Sequence, residues 1–95
     1  MNNNPFFSVI IPVYNRKDFI SKSIKSVLAQ SYTNFEIICI NDSSSDGTKQ
    51  MIIDHQMDDN RVKLISLEQN RGRCIARNEG IKNARGGWIC FLDSD

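Results

Sequence analysis

The last residues of the chain bring two carboxylates close together. Asp93 and Asp95 stand at positions i and i+2, directly after the apolar run at residues 88–92. That run follows two glycines and is typical of a strand buried on both faces in the middle of a parallel sheet. Two like charges at a strand end repel each other unless a cation lies between them. Because Mg²⁺ and Mn²⁺ prefer oxygen ligands and accompany diphosphates, the pair predicts a metal-assisted diphosphate site. For an isolated pair, a solvated acidic loop is the alternative.

The rest of the sequence alternates between apolar runs and amphipathic segments. Strands are predicted over residues 7–13, 35–40, 62–67 and 88–92, with a helix over about 17–30, a second ending before 58–60, and a third running to about 84. The order β-α-β-α-β-α-β with short connections predicts an α/β fold with a doubly wound, mostly parallel sheet. The third strand alternates more than the others, which places it nearer an edge. In the third helix, Ala76, Gly80 and Ala84 stand at positions i, i+4 and i+8, a small-residue face that predicts a close approach to the sheet.

Polar side chains follow each of the predicted strands. In doubly wound sheets, ligands bind beyond the carboxyl ends of the strands, at the point where the strand order reverses. The residues at these ends are Tyr14, Asn15, Asn41, Asp42, Asn70, Asp93 and Asp95. We therefore expect a binding site along this edge of the sheet.

The turn after the first strand excludes a dinucleotide-binding fingerprint. Residues 12–17 contain no glycine, and the chain has no phosphate-binding G-x-x-x-x-G-K-S/T loop. A diphosphate must then be held by a metal and by arginine. Asp93 and Asp95 are predicted as metal and ribose ligands and Arg77 as a phosphate contact. Asp42 is a candidate acceptor for a base imide, and Tyr14 for packing against the base.

Two of these residues have structural alternatives. Asp42 is equally consistent with closing an Asx turn with Ser44. Arg77 is consistent with surface ion pairs to Asp46 or Glu79, and without the acidic site nearby this would be the preferred interpretation.

Composition limits the class of protein. The chain has 95 residues, enough for one small domain, and its 12 basic and 11 acidic residues nearly cancel, so nothing favours nucleic acid as a partner. Three cysteines without C-x-x-C spacing argue against a zinc site or disulfides, and Cys39 and Cys90 are predicted as core residues. Reduced thiols and the lack of a signal-peptide or membrane-spanning pattern favour the cytoplasm.

Five motifs occur in order across nearly the whole chain. They are SVIIPVYN at 8–15, INDSSSDGT at 40–48, NRG at 70–72, ARNEG at 76–80 and WICFLDSD at 88–95. With these motifs the chain resembles the amino-terminal half of family 2 glycosyltransferases, inverting enzymes of GT-A fold that use nucleotide sugars. The resemblance implies that the chain is the nucleotide-diphospho-sugar-binding part of a longer catalytic domain.

The resemblance also assigns roles to single residues. The strand-one residues that line the uracil pocket correspond to Pro12, Tyr14 and Asn15. Asp42 matches the aspartate that pairs with uracil, and Arg77 matches an arginine with a phosphate role. Asp93 and Asp95 match the D-x-D motif, the first near ribose and metal and the second on Mn²⁺ or Mg²⁺. Ser43 departs from the glycine common at its position.

The resemblance also implies what these 95 residues and the full-length protein do. Family members continue past D-x-D with an acceptor site and a general base, so these 95 residues are expected to bind donor and metal without transferase activity. The full-length protein is expected to use a UDP-sugar and a glycan or lipid-linked acceptor, in the cytoplasm or at the cytoplasmic face of the membrane. The closing strand, with Trp88, Ile89 and Phe91, would expose an unpaired edge, which predicts self-association.

Three other functions would require different features of the sequence or of the whole protein. A nucleotidyltransferase would carry a glycine-rich basic loop after the first strand, which this chain lacks. A receiver-like signalling domain would have an acidic pair there, whereas the strand ends in Tyr14 and Asn15. A nucleotide-sugar-binding or regulatory module without catalysis remains the main alternative.

Overall fold

The computed structural model describes residues 6–69 and 71–92. The strands are β1 (Phe7–Val13), β2 (Phe35–Asp42), β3 (Val62–Leu67) and β4 (Trp88–Phe91), and the helices are α1 (Lys17–Leu28), α2 (Thr48–Asp58) and α3 (Arg73–Asn83). This is the predicted order of elements. β1 and β3 have the predicted bounds, whereas α1 ends at Leu28 rather than near residue 30. Among the described residues, no helix is long and apolar enough to cross a membrane.

The four strands form one parallel sheet in the order β3-β2-β1-β4. β1 pairs on both sides, so that Ile10 lies opposite Ile38 of β2 and opposite Phe91 of β4. The chain adds β2 and β3 on one side of β1 and then crosses to add β4 on the other. This reversal in the direction of strand addition confirms the doubly wound sheet. The strand order also confirms the predicted edge position of β3.

Two separate cores explain why β1 and β2 are apolar without alternation. Side chains of a strand point alternately to the two faces of a sheet, and here both faces are covered. The core that includes α1 and α2 consists of Ile11, Val13, Ile20, Ile24, Phe35, Ile37, Cys39, Ile52 and Val62. The core that includes α3 consists of Ile10, Ile38, Ile40 and Ala76.

Helix α3 lies very close to the sheet. Ala76 is fully buried, and a Cβ added at Gly80 would lie only 2.5 Å from Cγ2 of Ile10. Because a side chain at position 80 would have to displace the side chain of Ile10, the small-residue face predicted for this helix is confirmed.

β2 is longer than predicted because its polar end still pairs with β3. Asn41 lies opposite Ser66, and Asp42 lies opposite Leu67. Both residues are buried. The end of β2 therefore carries its polar side chains inside the sheet rather than in a loop beyond it.

The prediction that the closing strand is buried on both faces is wrong for the described chain. All four residues of β4 are exposed, and Trp88 is 62% exposed. No other described strand pairs with the outer edge of β4. Cys90 is consequently exposed and not a core residue, whereas Cys39 is fully buried as predicted. Burial raises the pKa of the Cys39 thiol to about 12.

A buried carboxylate joins the connection before β4 to the middle of the sheet. Oε2 of Glu36 accepts hydrogen bonds from the Ser8 hydroxyl and from the Arg85 amide, both at 2.7 Å. The Gly86 amide donates to Oγ of Ser8 at 2.8 Å. Oε1 of Glu36 has no hydrogen-bond partner among the described residues. These bonds attach the start of β4 to β1 and β2 at the amino end of the sheet.

Candidate functional site

The predicted site residues fall at the carboxyl edge of the sheet where the structure describes them. Tyr14 and Asn15 follow β1, and Asp42 is the last residue of β2. Arg77 lies on α3. Asn70, Asp93 and Asp95 lie outside the described residues, so the metal-ligand prediction stays a prediction.

The segment after β1 has one accessible aromatic ring and one turn residue. Pro12 is buried within β1, opposite Ile40. Tyr14 is 47% exposed, so its ring is available for a planar ligand. Asn15 has φ 51°, in the left-handed region that asparagine tolerates better than most residues. This turn directs the chain from β1 into α1.

Asn15 also attaches the loop after β2 to the end of β1. Its side-chain Oδ1 accepts a hydrogen bond from the backbone N–H of Ser45 at 2.7 Å, and its backbone N–H donates to Oγ of Ser44 at 2.9 Å. Ser43, in the same loop, has φ 62°. A left-handed residue here gives a physical reason for glycine at this position, since glycine adopts this conformation without strain.

Asp42 is 5% exposed and interacts with the segment that precedes α3. Its carboxylate accepts hydrogen bonds from the Arg71 amide at 2.8 Å and from the Gly72 amide at 3.0 Å. The Asx-turn alternative is therefore wrong for this residue, because the Ser44 amide donates to Oδ1 of Asn41 instead, at 3.1 Å. Each carboxylate oxygen keeps a second lone pair, so Asp42 can still accept a hydrogen bond from a ligand.

Arg77 is positioned by an aromatic ring at the end of β4. Its guanidinium lies over Phe91, 5.2 Å from the ring centroid. Phe91 is the last residue of β4, so the guanidinium lies beside the carboxyl end of this strand. The two carboxylates considered above as surface partners of Arg77 make other contacts. Asp46 accepts hydrogen bonds from backbone groups at the starts of two helices, and Glu79 pairs with Lys82 at 3.4 Å.

Asp46 has a larger structural role than its place in the sequence indicates. Oδ1 accepts hydrogen bonds from the amide and the hydroxyl of Thr48, and Oδ2 accepts one from the Lys17 amide at 3.3 Å. The Thr48 hydroxyl is the main cause of the lowered pKa of Asp46. The sequence predicts Asp46 or Thr48 as the cap of α2. The contact with the start of α1 has no signal in the sequence, because the two residues are far apart in the chain.

A small cavity opens beside this edge, on the α1 side. It has a volume of about 230 Å³, and its lining residues are Asn15, Arg16, Lys17, Asp18, Phe19 and Asp46. Of the predicted site residues that the structure describes, only Asn15 lines it. Within residues 6–69 and 71–92, no three His, Cys, Asp or Glu side chains come together as metal ligands.

Two solved structures have the same fold as this chain. S. aureus TarS 1–349 in complex with UDP-GlcNAc superposes with a TM-score of 0.85 at 34% identity, covering 95% of this chain and 26% of that one. Mannosyltransferase PcManGT from Pyrobaculum calidifontis, in complex with GDP-Man and Mn²⁺, has a TM-score of 0.85 at 24% identity and covers 97% and 28%. These likenesses confirm the predicted GT-A fold.

Sequence comparison identifies the family. TuaG of Bacillus subtilis is 40% identical over 94 residues, which are 99% of this chain and 37% of TuaG. The UDP-Glc:alpha-D-GlcNAc-diphosphoundecaprenol beta-1,3-glucosyltransferase WfgD of Escherichia coli is 44% identical over 88 residues, which are 93% of this chain and 34% of WfgD. The chain spans little more than a third of these curated relatives. The family described as Glycosyl transferase family 2 matches residues 8–95, and the chain belongs to it.

Proposed function

We propose that this member of glycosyltransferase family 2 is the donor-binding part of a catalytic domain and binds a nucleotide-diphosphate sugar at the carboxyl edge of its sheet. The observation that carries this proposal is the meeting of two strand ends. Asn15 bonds to the loop that follows Asp42, which brings the exposed ring of Tyr14 to the same edge as that carboxylate. A flat ring and a hydrogen-bond acceptor at one edge suit a nucleotide base.

We propose UDP as the nucleotide, bound along this edge. Pro12, Tyr14 and Asn15 would line the base pocket, and Asp42 would accept the imide proton of uracil on one of its remaining lone pairs. Arg77 would contact the diphosphate. Its location over Phe91, near the end of β4, supports this role because a guanidinium suits phosphate geometry.

We propose that Asp93 and Asp95 bind a divalent cation, Mn²⁺ or Mg²⁺. Two carboxylates two residues apart, directly after a strand, supply the oxygen ligands that these ions prefer. When bound, the ion would neutralise the diphosphate and stabilise it as a leaving group. Asp93 would also lie near the ribose.

In the longer protein, we propose transfer of the sugar with inversion to a glycan or lipid-linked acceptor. The name of the related WfgD specifies a UDP-glucose donor and a diphosphoundecaprenol-linked acceptor, which supports this class of substrate. No catalytic residue is assigned among the 95 residues. The general base that would deprotonate the acceptor hydroxyl is expected beyond them.

The experiment that tests this proposal is calorimetric titration of UDP into the 95-residue chain, first with Mn²⁺ and then with EDTA. We expect metal-dependent binding that is lost in Asp95→Ala. Asp58→Ala is the matched control, because Asp58 is an exposed carboxylate at the far end of α2 and should not alter binding. Circular dichroism on each sample confirms folding. A folded chain that binds no UDP in Mn²⁺, or in the same titration repeated with Mg²⁺, would contradict the proposal.

A binding or regulatory module without catalysis is the second candidate, and turnover distinguishes it. We expect no transfer from UDP-glucose by these 95 residues in either case. Transfer by the longer protein, lost on Asp95→Ala, would support the enzyme. Metal-dependent binding by the longer protein without turnover of any UDP-sugar would support the module.

Self-association through the outer edge of β4 stays a prediction. Trp88, Ile89 and Phe91 are each more than 40% exposed on this strand, and an exposed apolar edge strand offers unpaired backbone groups to a second copy. The second copy is the expected occupant of this edge for the 95-residue chain.

A further inference from the structure

Two neighbouring residues at the end of β2 point to opposite faces of the sheet. Side chains alternate along a strand, so Asn41 shares the face of Ile37 and Cys39, whereas Asp42 shares the face of Ile38 and Ile40. Asp42 accordingly reaches the segment before α3. Asn41 reaches the other side of the sheet, toward α1 and the loop after β2.

Asn41 is 2% exposed and uses both ends of its amide. Its Nδ2 donates to Oγ of Ser66 on β3 at 3.3 Å, and its Oδ1 accepts from the Ser44 amide at 3.1 Å. Buried amides in proteins are normally satisfied in this way, and each such bond restricts the groups it joins. Asn41 therefore attaches the first turn of the loop after β2 to the neighbouring strand.

The chain of hydrogen bonds continues from this loop to the end of β1. Oγ of Ser44 accepts a hydrogen bond from the backbone N–H of Asn15 at 2.9 Å, and Oδ1 of Asn15 accepts one from the backbone N–H of Ser45 at 2.7 Å. A continuous path thus runs from β3 through Asn41 and the loop to the residue next to Tyr14. It crosses the edge at which the proposed base pocket lies.

We infer that Asn41 is a positioning residue: it sets the location of the Tyr14–Asn15 segment relative to Asp42 without touching the donor. This inference concerns the arrangement of the edge. Its consequence for ligand affinity rests on the proposed function. If Asn41 loses both hydrogen bonds, the loop after β2 loses its attachment to β3, and the backbone N–H of Asn15 in turn loses its fixed acceptor, Oγ of Ser44.

Amide hydrogen exchange in the 95-residue chain tests the arrangement without any ligand. The hydrogen bond of the Ser45 amide to Asn15 is the third along the path from Asn41. In Asn41→Leu, we expect this amide to exchange about tenfold faster than in the original chain. Asn41→Asp should restore slow exchange, because a carboxylate can accept from the Ser44 amide and from the Ser66 hydroxyl. Ile38→Val, which destabilises the core on the opposite face of the sheet, should leave Ser45 exchange unchanged.

The same variants then separate this inference from the proposed function. Metal-dependent UDP affinity should fall about tenfold in Asn41→Leu and return in Asn41→Asp, as expected for a residue that acts through others. Unchanged Ser45 exchange in a folded Asn41→Leu would overturn the inference, whether or not the original chain binds UDP. Should Asn41→Leu fail to fold, Ser66→Ala takes its place, because it removes the acceptor for Nδ2 of Asn41 and should likewise speed Ser45 exchange. Failure of the original chain to bind UDP would overturn the proposed function alone.

Discussion

β2 and β4 pair with the same strand in the same direction, but their surroundings are opposite. Ser8 of β1 lies between Glu36 of β2 and Ile89 of β4. All eight residues of β2 are buried, whereas all four residues of β4 are exposed. β2 has a strand on each side and helices on both faces, and β4 has only β1 beside it among the described residues. Burial here follows from the place of a strand in the sheet, not from its residue types.

Each of the two strands also carries a phenylalanine whose ring lies under an arginine from another part of the chain. Arg61 lies over Phe35 at the amino end of β2, 4.5 Å from the centroid, and is held by Asp59 at 2.8 Å. Arg77 lies over Phe91 at the carboxyl end of β4. The first pair is part of the framework at the end remote from the site. The second lies at the edge where ligands of doubly wound sheets bind, which favours a functional role for it.

The largest difference between the strands should appear when one isoleucine in each is shortened. Ile38→Ala in β2 removes a fully packed side chain and should lower the free energy of unfolding by about 2–5 kcal/mol. Ile89→Ala in β4 should cost about 1 kcal/mol or less, because Ile89 is 41% exposed. Urea denaturation followed by circular dichroism measures both values. Equal losses would mean that β4 is as well packed as β2.

The buried carboxylate of β2 should give the next largest effect. Glu36→Ala removes the acceptor of two buried donors, the Ser8 hydroxyl and the Arg85 amide, and should cost about 1–3 kcal/mol. Glu36→Gln keeps an oxygen at this place and should recover most of the loss. The same urea titration is the measurement. If Glu36→Ala proved as stable as the original chain, the attachment of β4 through this network would be unimportant.

Charge on the edge strand should change association and leave the fold intact. Ile89→Lys places an ammonium group on the exposed strand and should weaken self-association at least about tenfold, since edge lysines oppose strand pairing. Sedimentation at several concentrations measures this, with Lys63→Arg on β3 as a control that adds no new charge. A chain that stays monomeric at high concentration before any substitution would refute the association itself.

The smallest effect is expected in the pH dependence of stability that comes from the Asp59–Arg61 pair. Hydrogen bonds from Arg61 lower the pKa of Asp59 below its ordinary value. A carboxyl group with a lowered folded-state pKa stabilises the protein above its unfolded pKa of about 3.9, and this contribution is lost as the pH falls through the folded value. Asp59→Asn should therefore reduce the loss of stability between neutral pH and pH about 3. Denaturation at both values tests this, with exposed Asp58→Asn as control. An undiminished loss in Asp59→Asn would mean that this pair does not contribute.

Much of the fold could be predicted because its signals are local. β1 and β3 were predicted with their observed bounds, since β-branched runs between turn residues are strong strand signals. The small-residue face of α3 was predicted from the spacing of Ala76 and Gly80. The burial of β4 was predicted wrongly because residues 88–92 have the same local pattern as a central strand. Nothing within that run reports how many neighbours the strand has.

For the candidate site, the location of the residues could be predicted from the sequence, but their hydrogen-bond partners could not. The sequence indicated Tyr14, Asn15 and Asp42 at the strand ends, and the structure has all three at the carboxyl edge. Which partner each residue takes was not predictable. Asn41, not Asp42, bonds to Ser44, because strand alternation turns neighbouring side chains to opposite faces and the packing of loops determines what each one meets.

The sequence by itself determined the order of elements, the parallel α/β sheet and the family, because these depend on periodicity, turn residues and ordered motifs within short stretches of chain. Only the tertiary structure decided that the residues of β4 are exposed, that Asp46 joins the starts of two helices, and that Asn41 bonds both to Ser66 of β3 and to the loop after β2. Each of these features depends on groups distant in sequence and adjacent in space. Hydrogen-bond partners at such distances are selected by packing, which no local pattern encodes.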